Sequence, residues 1–215
     1  MLNVTWLQDA NYAKTSLYDS DGRMNWADAN TWAADLVYHD SVRGVDYDDW
    51  RLARNSPVGS AWNYTTSNNG STDFAFNIAS PKSELAYMYY VNLGLKGFYS
   101  TSGSRRTDYG IFGNGTCNGV DCSSYGQADV GLVKNLQALV YWSGTADARY
   151  AAELAWALHN DGGRQFSRFQ HSEWYAWAVR PGDVAAVPEP ETYAMFLAGL
   201  AVMGGAVRRR TGKAD

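Results

Sequence analysis

The chain has 215 residues, with 18 Lys and Arg against 22 Asp and Glu, a formal net charge of −4, and 9 Trp and 15 Tyr among only 19% charged residues. That length suits one domain with a real core plus a tail. The acidic balance argues against nucleic acid as a partner and against anionic polymers held by bulk charge.

In chain order, Met1-Leu2-Asn3-Val4-Thr5-Trp6 has neither the basic start nor the apolar run of a secretory signal, and a leader encoded upstream is the expectation. Asn3–Leu7 reads as a strand. Asn25 can cap a helix in which Trp26, Ala29, Ala33, Leu36 and Val37 recur at helical spacing, with Asp28 stabilising its positive end. Ser80-Pro81 predicts a second helix start, with Leu85, Met88, Tyr89 and Leu93 on one face before Gly94 and Gly97 stop it. Further strands are expected at Ala138–Ser143, Glu153–His159 and Trp174–Val179, the second of them half-buried by its alternation. Residues 55–80 and 98–130 are rich in Ser, Asn, Gly and Thr, so long surface loops are predicted, of the kind that carry binding. Trp26, Trp50, Leu52, Trp142 and Trp177 are the expected core anchors, and Arg51 and Arg180 are either solvated or paired with Asp49, Glu84 or Asp183.

Candidate chemistry is sparse. Cys117 and Cys122 lie in a glycine-rich loop, and in an oxidising compartment two such cysteines favour a disulfide closing a small ring. Asp19-Ser20-Asp21-Gly22 is a fragment of a calcium loop without its closing Glu, and Asp46-Tyr47-Asp48-Asp49 concentrates carboxylates; solvated turns are the preferred reading, so no metal or other cofactor is assigned. His39, His159 and His171 show no paired metal spacing, and the nucleophile-elbow, zinc-protease and phosphate-loop patterns are missing. No catalytic residue is named, and the chain is not expected to be an enzyme.

The last stretch has a different character. Val187-Pro188-Glu189-Pro190 is followed by Tyr193–Val207, uncharged throughout, and then by Arg208, Arg209 and Arg210. The apolar run is shorter than the roughly 20 residues of a comfortable membrane span, and suits a transient anchor with arginines left on the cytoplasmic side. This tripartite tail resembles the PEP-CTERM sorting signal. The resemblance implies Val187, Pro188, Glu189 and Pro190 as sorting motif and the three arginines as membrane stop. It further implies an exosortase partner, cleavage near the box, and passage through the inner membrane to the cell surface or matrix of a Gram-negative bacterium that makes exopolysaccharide. The expected division is a domain over 1–183 and a sorting signal over 184–215.

A second resemblance spans most of the body. Thr5-Trp6-Leu7-Gln8-Asp9-Ala10-Asn11, Met24-Asn25-Trp26-Ala27-Asp28-Ala29, Asp49-Trp50-Arg51-Leu52, Ser83-Glu84-Leu85, Tyr141-Trp142-Ser143-Gly144-Thr145 and Ala178-Val179-Arg180-Pro181-Gly182 fall in an order similar to the Legionella collagen-like protein C-terminal domain family. That family resembles C-type-lectin-like and formylglycine-generating-enzyme-like folds. Ala53-Arg54 replaces its Pro-Thr, an insertion precedes Ser83, and the late cysteine pair of the oxidase relatives has no counterpart. The resemblance implies an α+β, C-type-lectin-like fold, two helices packed on short antiparallel strands with long loops, followed by the hydrophobic sorting helix. The function expected is a surface or matrix module that holds exopolysaccharide or another glycan, or a passive matrix component.

Overall fold

The capping residue that starts the main helix also shows how closely local chemistry sets this structure, a computed structural model describing residues 2–115 and 126–182. The Asn25 side chain accepts from the Asp28 N–H at 3.0 Å and donates to the Asp28 carboxylate at 2.6 Å, a reciprocal cap that satisfies a free helical N–H. In chain order the elements are β1 Val4–Trp6, α1 Tyr12–Thr15, β2 Arg23–Met24, α2 Trp26–Asp35, β3 Tyr38–Asp40, β4 Val45–Tyr47 and β5 Arg51–Leu52. They continue with β6 Thr66–Ser67, β7 Phe74–Ala75, α3 Glu84–Tyr87 running into a π turn over Met88–Asn92, β8 Gln127–Val130 and β9 Val133–Gln137. The last are β10 Val140–Ala146, β11 Leu154–His159, β12 Arg164–Phe169, β13 Trp174–Tyr175 and β14 Ala178–Pro181. The fold is α+β and mostly β.

Two units divide the chain. One takes His39–Val45 together with residues from Val184 onward, of which only His39–Val45 is described; there the Asp40 carboxylate accepts from the N–H groups of Val42 and Arg43. The other is the body, which contains the two main sheets. In the three-stranded sheet, ordered β1-β14-β5, all pairs are antiparallel, so the first described strand is tied to the last. The five-stranded sheet is ordered β12-β11-β10-β13-β2. Its β10–β13 pair is parallel, as is the separate β6–β7 pair, which corrects the expectation of purely antiparallel strands.

The core is aromatic, and three of its indoles find a carbonyl, whereas the fully buried Trp156 has no hydrogen-bond partner at Nε1. Trp142 Nε1 donates to the Met24 carbonyl at 2.9 Å, Trp177 Nε1 to that of Leu7 at 2.8 Å and Trp50 Nε1 to that of Tyr47 at 3.0 Å. Burying an aromatic side chain contributes about 4–6 kcal/mol of transfer free energy, provided its polar atom is satisfied in this way. Trp50, Leu52, Trp142 and Trp177 are core residues, as expected. Trp26 is only half-buried, its indole reaching the Ser143 carbonyl at 2.8 Å, and Trp32 takes the core position instead. Val37, expected on the buried helix face, is 60% exposed because α2 stops at Asp35, with Leu36 already extended.

Three other boundaries differ from expectation. The second helix starts at Glu84 rather than after Ser80, because the buried Ser83 directs its hydroxyl to the Gln165 side chain and its backbone turns there. The run 174–179 splits into β13 and β14, which serve different sheets. Strand β11 is buried on both faces rather than half-buried: Ala155 and Ala157 join the core on one face, and Trp156 on the other is covered by Trp62, Tyr64 and Phe74. Among the described residues no helix is long and apolar enough to cross a membrane; Tyr193–Val207 lies outside them.

Candidate functional site

The residues 55–80, which the sequence presents as an open loop, fold on themselves. Asp73 is fully buried, and its carboxylate accepts from the N–H groups of Val58 at 2.8 Å and Asn63 at 2.7 Å, drawing the loop inward. Trp62 then stacks on Trp156 with centroids 4.9 Å apart, Tyr64 stacks on the same indole at 5.8 Å, and the Arg149 guanidinium covers Tyr64 at 3.8 Å. Arg149 is itself paired with Asp147 at 2.7 Å. Burial raises the Asp147 pKa, but its hydrogen bonds from Arg149 and Ser167 outweigh that and hold the carboxyl below the usual range. These rings are already occupied by one another.

A different arrangement lies along β12, the outer strand of the five-stranded sheet. Arg164, Phe166 and Arg168 occupy alternate positions and so share one face of that strand. The turn from β11 to β12 is pinned by Gly163, which has φ +74° and whose added Cβ would meet the Tyr90 hydroxyl at 2.2 Å; that hydroxyl donates to the Gly163 carbonyl at 2.8 Å. Phe98 N–H bonds the Gly162 carbonyl at 2.9 Å, and Gly110 packs so tightly on the Asp161 carbonyl that a Cβ there would approach it to 2.4 Å. The segment 98–110 is therefore clamped onto the turn.

Between them lies a cavity of about 350 Å³. Its apolar wall is Phe74, Phe76, Phe98, Tyr109 and Phe166, and its polar groups include His159, Asp161, Arg164 and Arg168. Phe98 and Tyr109 meet edge to face at 4.9 Å, Arg168 lies over Phe166 at 4.2 Å, and Arg105 covers Phe98 at 4.7 Å. His159 and Asp161 approach each other through Nδ1 and Oδ1. Burial, then the neighbouring Arg164 charge, lowers the Arg168 pKa, and burial raises that of the Tyr109 phenol, which keeps it a donor. A rigid aromatic slot with convergent polar groups is the form that small-ligand sites take, usually at roughly 300–1,000 Å³.

Several residues singled out by sequence have structural tasks. Arg51 makes a two-pronged bond to Glu84 at 2.7 and 2.8 Å, and Arg180 pairs with Asp49 at 2.5 and 3.1 Å. In the calcium-like fragment, Asp19 accepts from the N–H groups of Asp21 and Gly22, and Asp21 is held by Arg23, whose hydrogen bonds lower its pKa. Among the described residues no three His, Cys, Asp or Glu side chains are grouped to hold a metal. His171 stacks on Phe169 at 5.4 Å, away from the cavity wall, whereas His159 stands in it, a placement its isolated position in the sequence did not signal. Cys117 and Cys122, the motif Val187, Pro188, Glu189, Pro190 and the cluster Arg208, Arg209, Arg210 lie outside the described residues.

For the tail, comparison with known families is decisive. Residues 186–210 match the PEP-CTERM protein-sorting motif. The chain carries an exosortase sorting signal, and the signal supports export and surface sorting in a Gram-negative bacterium. It covers only the tail. No curated protein and no solved structure matches the chain, so the body stands on its own geometry.

Proposed function

We propose that the body is a glycan-binding or adhesion module, displayed at the cell surface or in the matrix after exosortase processing, and that its ligand seats in the cavity along β12. The observation that carries this reading is the aromatic slot of Phe98, Tyr109 and Phe166, with guanidinium groups converging on it. Flat rings suit the C–H faces of sugars, and nearby donors suit their hydroxyls. The resemblance to the Legionella collagen-like C-terminal domain and to lectin-like folds supports the same reading. No catalytic role and no cofactor are assigned.

A glycan array probed with the full chain tests the proposal. Binding to a defined set of glycans, lost on Phe98→Ala, is the expected outcome; a blank array would leave the body a passive matrix component. Sorting has a separate test, replacement of Val187, Pro188, Glu189 and Pro190 by alanine, followed by fractionation. The altered protein should accumulate in the inner membrane, and normal surface delivery would defeat the assignment of the sorting motif.

A further inference from the structure

Six of the thirteen Lys and Arg side chains of the body have a carboxylate partner: Arg23 with Asp21, Arg51 with Glu84, Lys96 with Asp108, Lys134 with Asp129, Arg149 with Asp147 and Arg180 with Asp49; of the other seven, Lys14, Arg54 and Lys82 line neither of the two cavities described next. Arg105, Arg106, Arg164 and Arg168 have none among the described residues. All four line one of two adjoining cavities that share Phe98 and Tyr109 as a common wall. Arg106 Nε is moreover buried without a hydrogen-bond partner. Against Arg164 and Arg168, the wall of the first cavity offers only Asp161, already close to His159. In a chain of net charge −4, a local excess of guanidinium groups is not explained by bulk composition. Gathering like charges opposes folding, and a buried donor left unsatisfied opposes it as well.

We infer that the cavity takes an acidic sugar, a carboxylate-bearing pyranose packed against Phe98 and Phe166 with its carboxylate held by Arg164 and Arg168. This rests on the glycan reading above and narrows it to a ligand class. The planar fork of arginine matches a carboxylate with two parallel bonds, and the aromatic wall serves the ring to which that carboxylate is attached. The adjoining cavity, with Arg105 and Arg106, continues the same chemistry and fits a second acidic residue of a polymer. Because the whole chain is acidic, recognition is local: the anion is gripped at the slot and not gathered by the surface at large.

The test is calorimetric titration of the full chain with oligogalacturonate, with the same oligomer methyl-esterified, and with inorganic sulfate. The free acid should bind at least about tenfold more tightly than its ester. The double variant R164Q/R168Q should lose that preference at an unchanged melting midpoint, whereas R54Q, outside the cavity wall, should keep it. If acid and ester bind equally and the double variant binds both as before, the acidic-sugar inference falls and the glycan reading stands. Absence of binding to either oligomer overturns the acidic-sugar inference, while the glycan reading is decided by the array. Sulfate binding as tightly as the oligomer would overturn the sugar and leave an anion site only.

Discussion

The cluster around Trp156 and the cavity along β12 are built from the same materials, aromatic rings and arginines, yet they resolve their charges in opposite ways. In the first, Trp156 is 0% exposed beneath Trp62 and Tyr64, and Arg149 returns its charge to Asp147. In the second, Phe98 and Phe166 carry guanidinium groups of their own, Arg105 and Arg168, that have no carboxylate to meet. Phe74 touches both regions, packing on Trp156 at 5.0 Å and lining the cavity. An aromatic-rich composition therefore says little about ligand binding by itself. What separates a core from a site here is whether the charges beside the rings are already answered.

The comparison is broken most directly by removing its central ring. Trp156→Ala should destabilise the body by about 3–5 kcal/mol, the range for truncating a buried aromatic, measured as a fall in denaturant midpoint. Phe98→Ala, at a half-buried position, should cost less stability while abolishing glycan binding. Equal destabilisation by the two would show that the cavity wall is merely more core.

The arginines give the next contrast. Arg149→Gln leaves Asp147, whose side chain is 0% exposed, without its countercharge, and should cost about 2–3 kcal/mol by the same melts. The double variant R149Q/D147N should recover much of this, because it removes the orphaned charge as well. No recovery would mean that the loss came from the stacking of Arg149 on Tyr64.

Acid sharpens the same point with a smaller effect. The folded-state pKa of Asp147 lies below its ordinary value, as does that of Asp21, so the folded state binds these protons less readily than the unfolded chain. Their contribution is complete above the unfolded carboxylate pKa of about 4 and is lost as pH falls through the folded values. Melting midpoints should therefore drop steeply below about pH 4, and D147N should show a shallower drop. A variant that follows the parent curve throughout would remove Asp147 from the account.

Parts of this were legible in the sequence because they depend on neighbours along the chain. The Asn25 cap with Asp28, strands β1 and β11, and the core roles of Trp50, Trp142 and Trp177 all follow from spacing and propensity. Arg51 and Arg180 could be narrowed to a few partners, but the choice of Glu84 and Asp49 needed the fold. Strand β12 was missed because only Phe166 interrupts its polar run on the shared face, and an edge strand needs few apolar residues. The cavity could not be seen at all: residues 74–76, 98–109 and 159–168 meet only through the clamp of 98–110 on the β11–β12 turn. The one available trace was the recurrence of arginine beside aromatic residues, Arg105 and Arg106 near Tyr109, and Arg164 and Arg168 around Phe166.

The smallest expected effect is the most discriminating. Arg164→Gln removes a guanidinium that has no carboxylate partner among the described residues and stands close enough to Arg168 to lower its pKa. Loss of a like charge relieves repulsion, so stability should change by no more than about 0.5 kcal/mol and in the stabilising direction if at all, the reverse of Arg149→Gln. Added salt should shrink that gain further, since screening weakens the same repulsion. Denaturant melts of the parent and the variant at low and high ionic strength provide the measurement. A destabilisation comparable to that of Arg149→Gln would mean that Arg164 is a structural residue after all, and the distinction between a closed cluster and a cavity with unanswered charge would lose its basis.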